Sequence, residues 1–343
     1  MPQGRLIFEE AVDPARALAV GAELANHVSG EFPVALYGAT LQGNAYVLGR
    51  YQRLSQVLPA DASARATVLR RSSGGSALSV GDGASYAALA LHDRSALMTC
   101  PPQRLLNRNV RGALQGLRLT GVAANYFGRD FISFEARPAV YIAWDADDAG
   151  RVLLEFFVCD NRSVWVPAAE LAYPQRKEDV LRGREPTTLV EAGATARGIA
   201  ALEKLAEGYA KGFRAEWQRD HAEQMNVAAL LGLSLQDELP EIGYGWSHPL
   251  EEAIGFVSAG VALDAGGKIA GVRLAGDFFA HRACAAALER QLVGVAPNAE
   301  IVGRAVDAAY ATPEHDVEGI RSMRTLQEAI LQAVAVAQRE NEP

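Results

Sequence analysis

The feature that most constrains the fold is a short polar loop set between two apolar runs. Thr67-Val68-Leu69 is followed by the string Arg70-Arg71-Ser72-Ser73-Gly74-Gly75-Ser76, and Ala77-Leu78-Ser79-Val80 comes directly after it. Apolar and β-branched residues in runs of this length predict a strand on each side of the loop. Two consecutive glycines between the strands let the backbone approach a ligand closely, because glycine has no side chain.

The side chains of this loop suit an anionic ligand. Arg70 and Arg71 offer forked, permanently charged donors that match a carboxylate or a phosphate, and three serines offer hydroxyl groups. The loop is not a Walker A loop, because the Gly-Lys-Ser/Thr ending is missing, and no GxGxxG opens a helix here. An ordinary polar hairpin with surface arginines would have the same composition, so the string alone leaves both interpretations open.

The rest of the chain alternates strand-like and helix-like segments. Short apolar runs predict further strands over 34–37, 45–49, 129–134, 140–144 and 152–158 and a hairpin over 260–274. Apolar residues three and four apart predict helices over 14–28, 198–213 and 283–293 and an amphipathic helix at the C-terminal end. A chain of 343 residues favours two domains. The stretch 233–248 contains Pro and Gly, and it places the boundary between residues 1–238 and residues 239–343.

Charge and cysteine content narrow the classes of function. The 33 basic and 41 acidic side chains give a net charge of −8, which is a poor match for nucleic acid. No apolar run approaches the roughly 18–20 residues of a membrane helix, and no secretory segment opens the chain. Cys100, Cys159 and Cys284 show no metal-binding spacing. We therefore expect a cytoplasmic protein with reduced thiols, no metal site, and no nucleic-acid or membrane partner.

Several motifs in a fixed order resemble the lipoate–protein ligase and octanoyltransferase superfamily. The string from Arg70 to Leu78 is similar to its signature loop of two arginines, a variable residue, Ser or Thr, and glycines. Tyr46 to Gln52 resembles the strand and LGRxQ turn before that loop, and Asn125 to Asp130 resembles the later GRND segment. Residues 241–294 resemble the accessory domain of lipoate–protein ligases, most clearly at Gly267-Lys268-Ile269, then Gly276-Asp277-Phe278-Phe279, and then Leu288-Glu289 and Leu292-Val293-Gly294.

The resemblance implies an α/β fold of the biotin/lipoate ligase type, with mixed sheets and a small C-terminal α/β accessory domain. It also implies lipoate or a medium-chain fatty acid as substrate, ATP and Mg²⁺ as cofactors, and a lipoyl-type carrier domain as acceptor. In that family the carboxylate is activated as an acyl-adenylate, and the acyl group then passes to a lysine of the carrier. The implied ligand-binding residues are Arg70, Arg71, Ser72, Ser73, Gly74, Gly75, Ser76, Ala77, Asn125, Gly128, Arg129 and Asp130.

One departure from the family pattern concerns the chemistry. The family has a lysine shortly after its GRND segment, and that lysine favours the developing negative charge. In this chain Arg137 stands seven positions after Asp130, and no lysine precedes Lys177. Arginine keeps the charge but not the compact shape of an ammonium group. Arg137 is therefore either a replacement for the lysine or a solvated arginine of a strand.

Three hypotheses about function follow. The first is a divergent acyl-AMP-forming ligase or acyltransferase in which Arg137 acts in the lysine position. The second is a non-catalytic homologue that serves as a ligand sensor or as a carrier-protein or assembly binding factor. The third is ATP-independent acyl transfer through Cys159 as nucleophile. Cys159 ends an apolar run, however, and a buried structural cysteine is the simpler interpretation.

Overall fold

A computed structural model describes residues 1–172, 184–225, 227, 243–311 and 317–340. The strands are β1 (Gln3–Val12), β2 (Val34–Leu41), β3 (Asn44–Leu48), β4 (Thr67–Arg70), β5 (Leu78–Gly81), β6 (Ala84–Leu91), β7 (Ala124–Tyr126), β8 (Phe131–Phe134), β9 (Arg137–Ala146), β10 (Val152–Cys159), β11 (Glu216–Arg219), β12 (Gly245–Trp246), β13 (Leu250–Glu251), β14 (Phe256–Leu263), β15 (Ile269–Gly276), β16 (Phe279–Ala280) and β17 (Val317–Glu318). The helices are α1 (Pro14–Leu24), α2 (Leu54–Val57), α3 (Ala62–Arg65), α4 (Leu105–Arg118), α5 (Ile199–Phe213), α6 (Arg282–Leu292), α7 (Ala299–Tyr310) and α8 (Met323–Glu340). The predicted domain boundary at 238/239 lies outside the described residues.

An eight-stranded sheet organises the larger part of the chain, in the order β11-β1-β2-β6-β10-β9-β8-β7. β1 pairs in parallel with β2 and β11, and the pairs from β2 to β7 are antiparallel. The central strands β6 and β10 are buried at every position. Because both faces of these strands are covered, their sequences are mostly apolar, with Ser85 and Glu155 as the exceptions, and show little alternation.

Helix α1 begins where the sequence predicts it. Pro14 occupies the first turn, and the Asp13 side chain accepts a hydrogen bond from the Ala15 N–H at 2.8 Å. The first N–H groups of a helix lack a partner within the helix. Proline at the first position has no such N–H group, and the aspartate cap accepts a hydrogen bond from one of them. The helix packs on β2 and β6 and so forms one wall next to the polar loop of β4.

The polar loop belongs to a separate three-stranded sheet with the order β4-β3-β5. β3 pairs in parallel with β4 and antiparallel with β5, so the loop over 71–77 connects the two outer strands. We call these residues, with Arg70, the glycine loop. The C-terminal part forms a further sheet around β14, and α8 packs on β12 and β14.

The architecture confirms the predicted fold class, a mixed α/β structure with several mixed sheets. One hydrophobic cluster lies on the eight-stranded sheet, and a second lies between the sheet of β14 and helices α6 to α8. Within the described ranges, no helix combines the length and the apolar character that a membrane crossing requires.

Candidate functional site

Arg71 points into the body of the protein. The residue is only 2 % exposed, and its guanidinium donates to the carbonyl oxygens of Gly74 at 2.6 Å and Ser76 at 2.9 Å and to Ser73 Oγ at 3.1 Å. These bonds hold the later residues of the glycine loop against Arg71 near its start. Arg71, predicted to bind a ligand, therefore braces the loop from within.

A buried carboxylate lies beneath this brace. Glu155 in the middle of β10 is 1 % exposed and accepts hydrogen bonds from Ser73 Oγ and, at 2.6 Å, from the Tyr86 hydroxyl. Burial raises the pKa of Glu155, while the charge of Arg71 and the two hydroxyl donors act in the opposite direction. The loop is thus anchored to the eight-stranded sheet by a buried charged network.

Arg70 lines a cleft of about 360 Å³ between α1, the glycine loop and α6. Part of the wall is apolar and comes from Ala15, Leu18, Ala19, Ala22 and Leu69. The charged residues that line it are five arginines and two acidic residues: Arg50, Arg70, Arg71, Arg151, Arg282, Glu23 and Asp147. We call this space the arginine cleft.

The guanidinium groups of the arginine cleft differ in their partners. Arg151 donates to Asp147 at 2.7 Å, and Arg282 donates through Nε to Asp145 at 2.7 Å. Arg70 donates through Nη1 to main-chain carbonyl groups, among them that of Gly49 at 3.0 Å. Arg50 is half-buried, and its side chain makes no hydrogen bond or ion pair with the described residues. Arg50 is therefore the guanidinium best able to accept an anionic ligand.

The GRD segment opens onto a different pocket of about 280 Å³. Gly128, Arg129 and Asp130 line it together with Phe279 and Glu318 of the C-terminal part. Asp130 is 1 % exposed, and its Oδ1 lies 3.6 Å from Arg129 Nε. The structure therefore does not bring the GRD segment and Arg70 into one cleft.

The amide of Asn125 is used locally. Its Nδ2 donates to the carbonyl of Ala123 at 3.0 Å, and the main-chain carbonyl of Asn125 accepts from Ser133 Oγ at 3.3 Å. These bonds hold the turn before β8. Asn125 does not line either of the two pockets described here.

The structure does not bring Arg137 to the glycine loop. Arg137 begins β9, and its guanidinium donates to the carbonyl of Pro186 at 2.6 Å and to Glu191 at 3.1 Å. The β9 side chain that reaches the loop is Tyr141, whose hydroxyl accepts from the Ser76 N–H at 2.7 Å. Four residues of a strand span about 13 Å, so the two positions are not interchangeable. Arg137 therefore lies outside the glycine loop, and its role as a replacement for the family's lysine stays a prediction.

Cys159 has the environment of a structural thiol. It ends β10, is fully buried, and burial raises its pKa to about 12. A thiolate is the nucleophilic form, and at pH 8 only about one Cys159 side chain in 10⁴ would be ionised. These properties do not suit a nucleophile, and the simpler interpretation from the sequence agrees with them.

The three cysteines should therefore differ in alkylation. We expect iodoacetamide at pH 8 to modify half-buried Cys100 in the native protein and to reach Cys159 and Cys284 only after denaturation, because both are fully buried. Peptide mass spectrometry of native and urea-treated samples measures this. Rapid native labelling of Cys159 would contradict the structural assignment.

Sequence reasoning missed most of the arginine cleft. Arg50 lies in the LGRxQ-like turn, which was used only as a flanking motif, and Arg151 and Arg282 come from distant parts of the chain. The signal for Arg50 was present, since a basic residue follows directly on a strand beside the loop. No local pattern links Arg282 to that strand.

The comparisons with known proteins identify the fold. No family sequence model and no curated relative matches the chain. Plasmodium falciparum LipL1, solved in complex with lipoate, aligns with a TM-score of 0.67 and 13 % identity over 96 % of this chain and 99 % of that chain. A bi-partite lipoate protein ligase from Thermoplasma acidophilum aligns with a TM-score of 0.55 and 15 % identity, over 67 % of this chain and 91 % of that chain. Lipoate-protein ligase A bound with ATP gives 0.52 and 14 %, over 67 % and 92 %. The chain therefore has the fold of lipoate–protein ligases, as the motifs predicted.

Proposed function

We propose that this protein binds a medium-chain acyl carboxylate, such as lipoate or octanoate, in the arginine cleft. The observation that carries the proposal is the pairing of an apolar wall on α1 with guanidinium groups at the glycine loop. An apolar chain would bury its methylene groups against the wall, and its carboxylate would meet the arginines. The volume of about 360 Å³ is at the lower end for small-molecule pockets, which suits a small ligand.

The charges of the cleft favour one carboxylate. Arg151 and Arg282 each have an aspartate partner, and Arg50 has none among the described residues. Ser72 also lines the cleft, and its buried hydroxyl oxygen makes no hydrogen bond with the described residues. In this proposal Arg50 and Arg70 supply the positive charge, and Ser72 donates to the carboxylate.

ATP does not fit either pocket well. The arginine cleft is partly apolar, and most of its positive charge is already paired or hydrogen-bonded within the protein. The pocket at the GRD segment has two carboxylates, those of Asp130 and Glu318, against the single guanidinium of Arg129, so its net charge does not favour phosphate groups. Within the described ranges, no three His, Cys, Asp or Glu side chains are grouped so that they could hold a metal ion. Mg²⁺ stays a prediction, because proteins usually hold that ion through one or two carboxylates together with phosphate groups of the substrate.

The test is calorimetric titration of the full chain with octanoate and with lipoate. We expect the Arg50→Met variant to bind about 10- to 100-fold more weakly, because a charge-assisted hydrogen bond contributes about 1.5–3 kcal/mol. Arg304→Met is the matched control, since Arg304 is an exposed arginine of α7 far from the cleft. No binding by the native protein, or equal binding by Arg50→Met, would contradict the proposal.

A lipoyl-type carrier domain is the macromolecular partner that we propose to test. The Thermoplasma acidophilum structure describes a ligase and its E2 lipoyl domain, and this chain shares that fold. A protein that holds an acyl ligand and also binds a carrier would act as a sensor or assembly factor. A gel-shift assay with a lipoyl domain, with and without octanoate, measures this interaction. No shift in either condition would leave a ligand-binding protein without this partner.

A further inference from the structure

The glycine loop is in direct contact with the C-terminal part of the chain. The Gly75 N–H donates to the carbonyl of Phe278 at 3.0 Å, and Ser76 Oγ donates to the carbonyl of Ile254 at 3.1 Å. A Cβ atom at Gly74 would lie only 2.2 Å from the Phe278 carbonyl oxygen. The two backbones therefore touch, and glycine is needed at position 74 to allow that approach.

The turn before the loop makes contacts with the same segment. The ring of Tyr51 stacks on that of Phe278 with a centroid distance of 4.6 Å, and the Gly276 N–H donates to the Tyr51 carbonyl at 2.9 Å. The Gln52 side chain donates to Asp277, and both residues are 1 % exposed. Buried polar groups paired across a contact make it specific, since separation would leave them without partners.

The inner side of the loop is also filled. A Cβ atom at Gly75 would lie 2.1 Å from the Tyr141 hydroxyl and 2.5 Å from the ring of Phe279. The Tyr141 hydroxyl accepts from the Ser76 N–H, while Arg71 engages the carbonyl groups of Gly74 and Ser76. Around Gly74 and Gly75, the loop therefore has no space for a phosphate group.

We infer that the glycine loop of this protein is an internal docking seam for residues 276–280, and that the protein does not activate its ligand as an acyl-adenylate. Adenylate formation needs donors aimed at the phosphate and at the developing charge. Here the N–H groups of Gly75 and Ser76 already have acceptors. The side chain that reaches the loop from β9 is the neutral Tyr141 rather than a lysine.

The chemistry of Tyr141 agrees with this assignment. Burial raises the pKa of its hydroxyl, so the group stays neutral and can neither carry positive charge nor act as a base near pH 7. The inference is that the glycine loop does not bind ATP phosphate groups. It does not depend on whether an acyl carboxylate binds in the arginine cleft.

Hydrogen exchange tests the seam directly in the native protein. Within the loop peptide over 71–77 we expect at least about 100-fold protection at Arg71, Gly75 and Ser76, because these three buried residues have hydrogen-bonded N–H groups. We also expect this protection to stay unchanged when ATP is added. Fast exchange of the loop, or a change in its exchange caused by ATP, would overturn the inference.

ATP–pyrophosphate exchange tests the chemistry. With octanoate or lipoate present we expect no exchange above background, while a lipoate–protein ligase measured alongside exchanges readily. Acyl-dependent exchange by this protein would overturn the inference but not the binding proposal. Absence of octanoate binding in calorimetry, with no exchange, would contradict only the binding proposal.

Two glycine variants distinguish the effect of a clash at the seam from the effect of backbone strain. Gly75 and Gly43 have nearly the same φ, +90° and +88°, but a Cβ atom at Gly43 would meet open space. Alanine therefore imposes similar strain at both positions and a clash only at Gly75. We expect Gly75→Ala to make the peptide over 276–280 exchange at least about tenfold faster, and Gly43→Ala to leave it unchanged. Equal exchange in both variants would overturn the seam.

Discussion

We expect replacement of Gly208 with alanine to destabilise the protein by about 1–3 kcal/mol, and replacement of Gly212 in the same helix not to destabilise it. A Cβ atom at Gly208 would lie 2.2 Å from the Gly116 nitrogen and 2.3 Å from the Gly112 carbonyl oxygen. Both are backbone atoms of α4, so no side-chain movement relieves the clash. The cost is therefore a separation of α4 from α5, two helices in extensive contact.

Gly212 provides the control for helix propensity. Its added Cβ atom would meet only Gln115 Oε1 at 3.0 Å, the movable end of a side chain. Alanine favours the helix over glycine by about 1 kcal/mol, so Gly212→Ala should be neutral or stabilising. Urea denaturation of the native protein and both variants gives the free energies of unfolding. Similar losses in the two variants would contradict close backbone packing of α4 on α5.

The strands beside the glycine loop could be predicted because their residues are apolar and β-branched. The sequence did not indicate β6, Ala84–Leu91, because its alanines have weak strand propensity and burial of both faces removes the alternation. It also did not indicate α4, where Gly112 and Gly116 lower the helix propensity of the segment. Close contact with α5 overrides that preference, and such contacts cannot be inferred from local sequence.

The sequence indicated which types of residue form the candidate site, but not where their side chains lie. Arg70 and Arg71 are equivalent in the sequence, yet the Arg70 guanidinium donates to the carbonyl of Gly49 in the preceding turn, while the Arg71 guanidinium donates to the carbonyl of Gly74 within the loop. Successive side chains of an extended chain point in opposite directions, but the sequence does not show which direction is buried. The position of Arg137 depended on the register of β9, which its hairpin with β8 determines. The absence of a lysine before Lys177 can be read from the sequence without a structure. The structure agrees with it, since the β9 side chain that contacts the loop is that of Tyr141.

Replacing Arg71 with methionine should cost at least about 3 kcal/mol of folding free energy, because it leaves several buried acceptors without their donor, each at about 1–3 kcal/mol, and removes the positive charge that acts on Glu155. The variant also removes the donors to the carbonyl groups of Gly74 and Ser76 and to Ser73 Oγ. Arg50→Met removes a neighbouring arginine that has no side-chain partner among the described residues, and it should cost little stability. Thermal and urea unfolding of the two variants measure the difference.

The pH dependence of the free energy of unfolding and a double-mutant cycle test whether Arg71 interacts with Glu155. Burial raises the pKa of Glu155, so the folded state holds a proton at pH values where the unfolded chain has lost it. The Glu155 contribution to the free energy of unfolding therefore falls as pH rises above about 4.3 and through the folded pKa. Without the charge of Arg71 the pKa of Glu155 rises further. Relative to the native protein, Arg71→Met should therefore lose most stability near neutral pH and less at acidic pH.

The double-mutant cycle adds Glu155→Gln, which removes the titrating group. The double variant should therefore lose this extra pH dependence, and its loss of stability should be smaller than the sum of the losses in the single variants. Additive losses that do not vary with pH would show that Arg71 and Glu155 act independently, and the buried network would then not be what holds the loop.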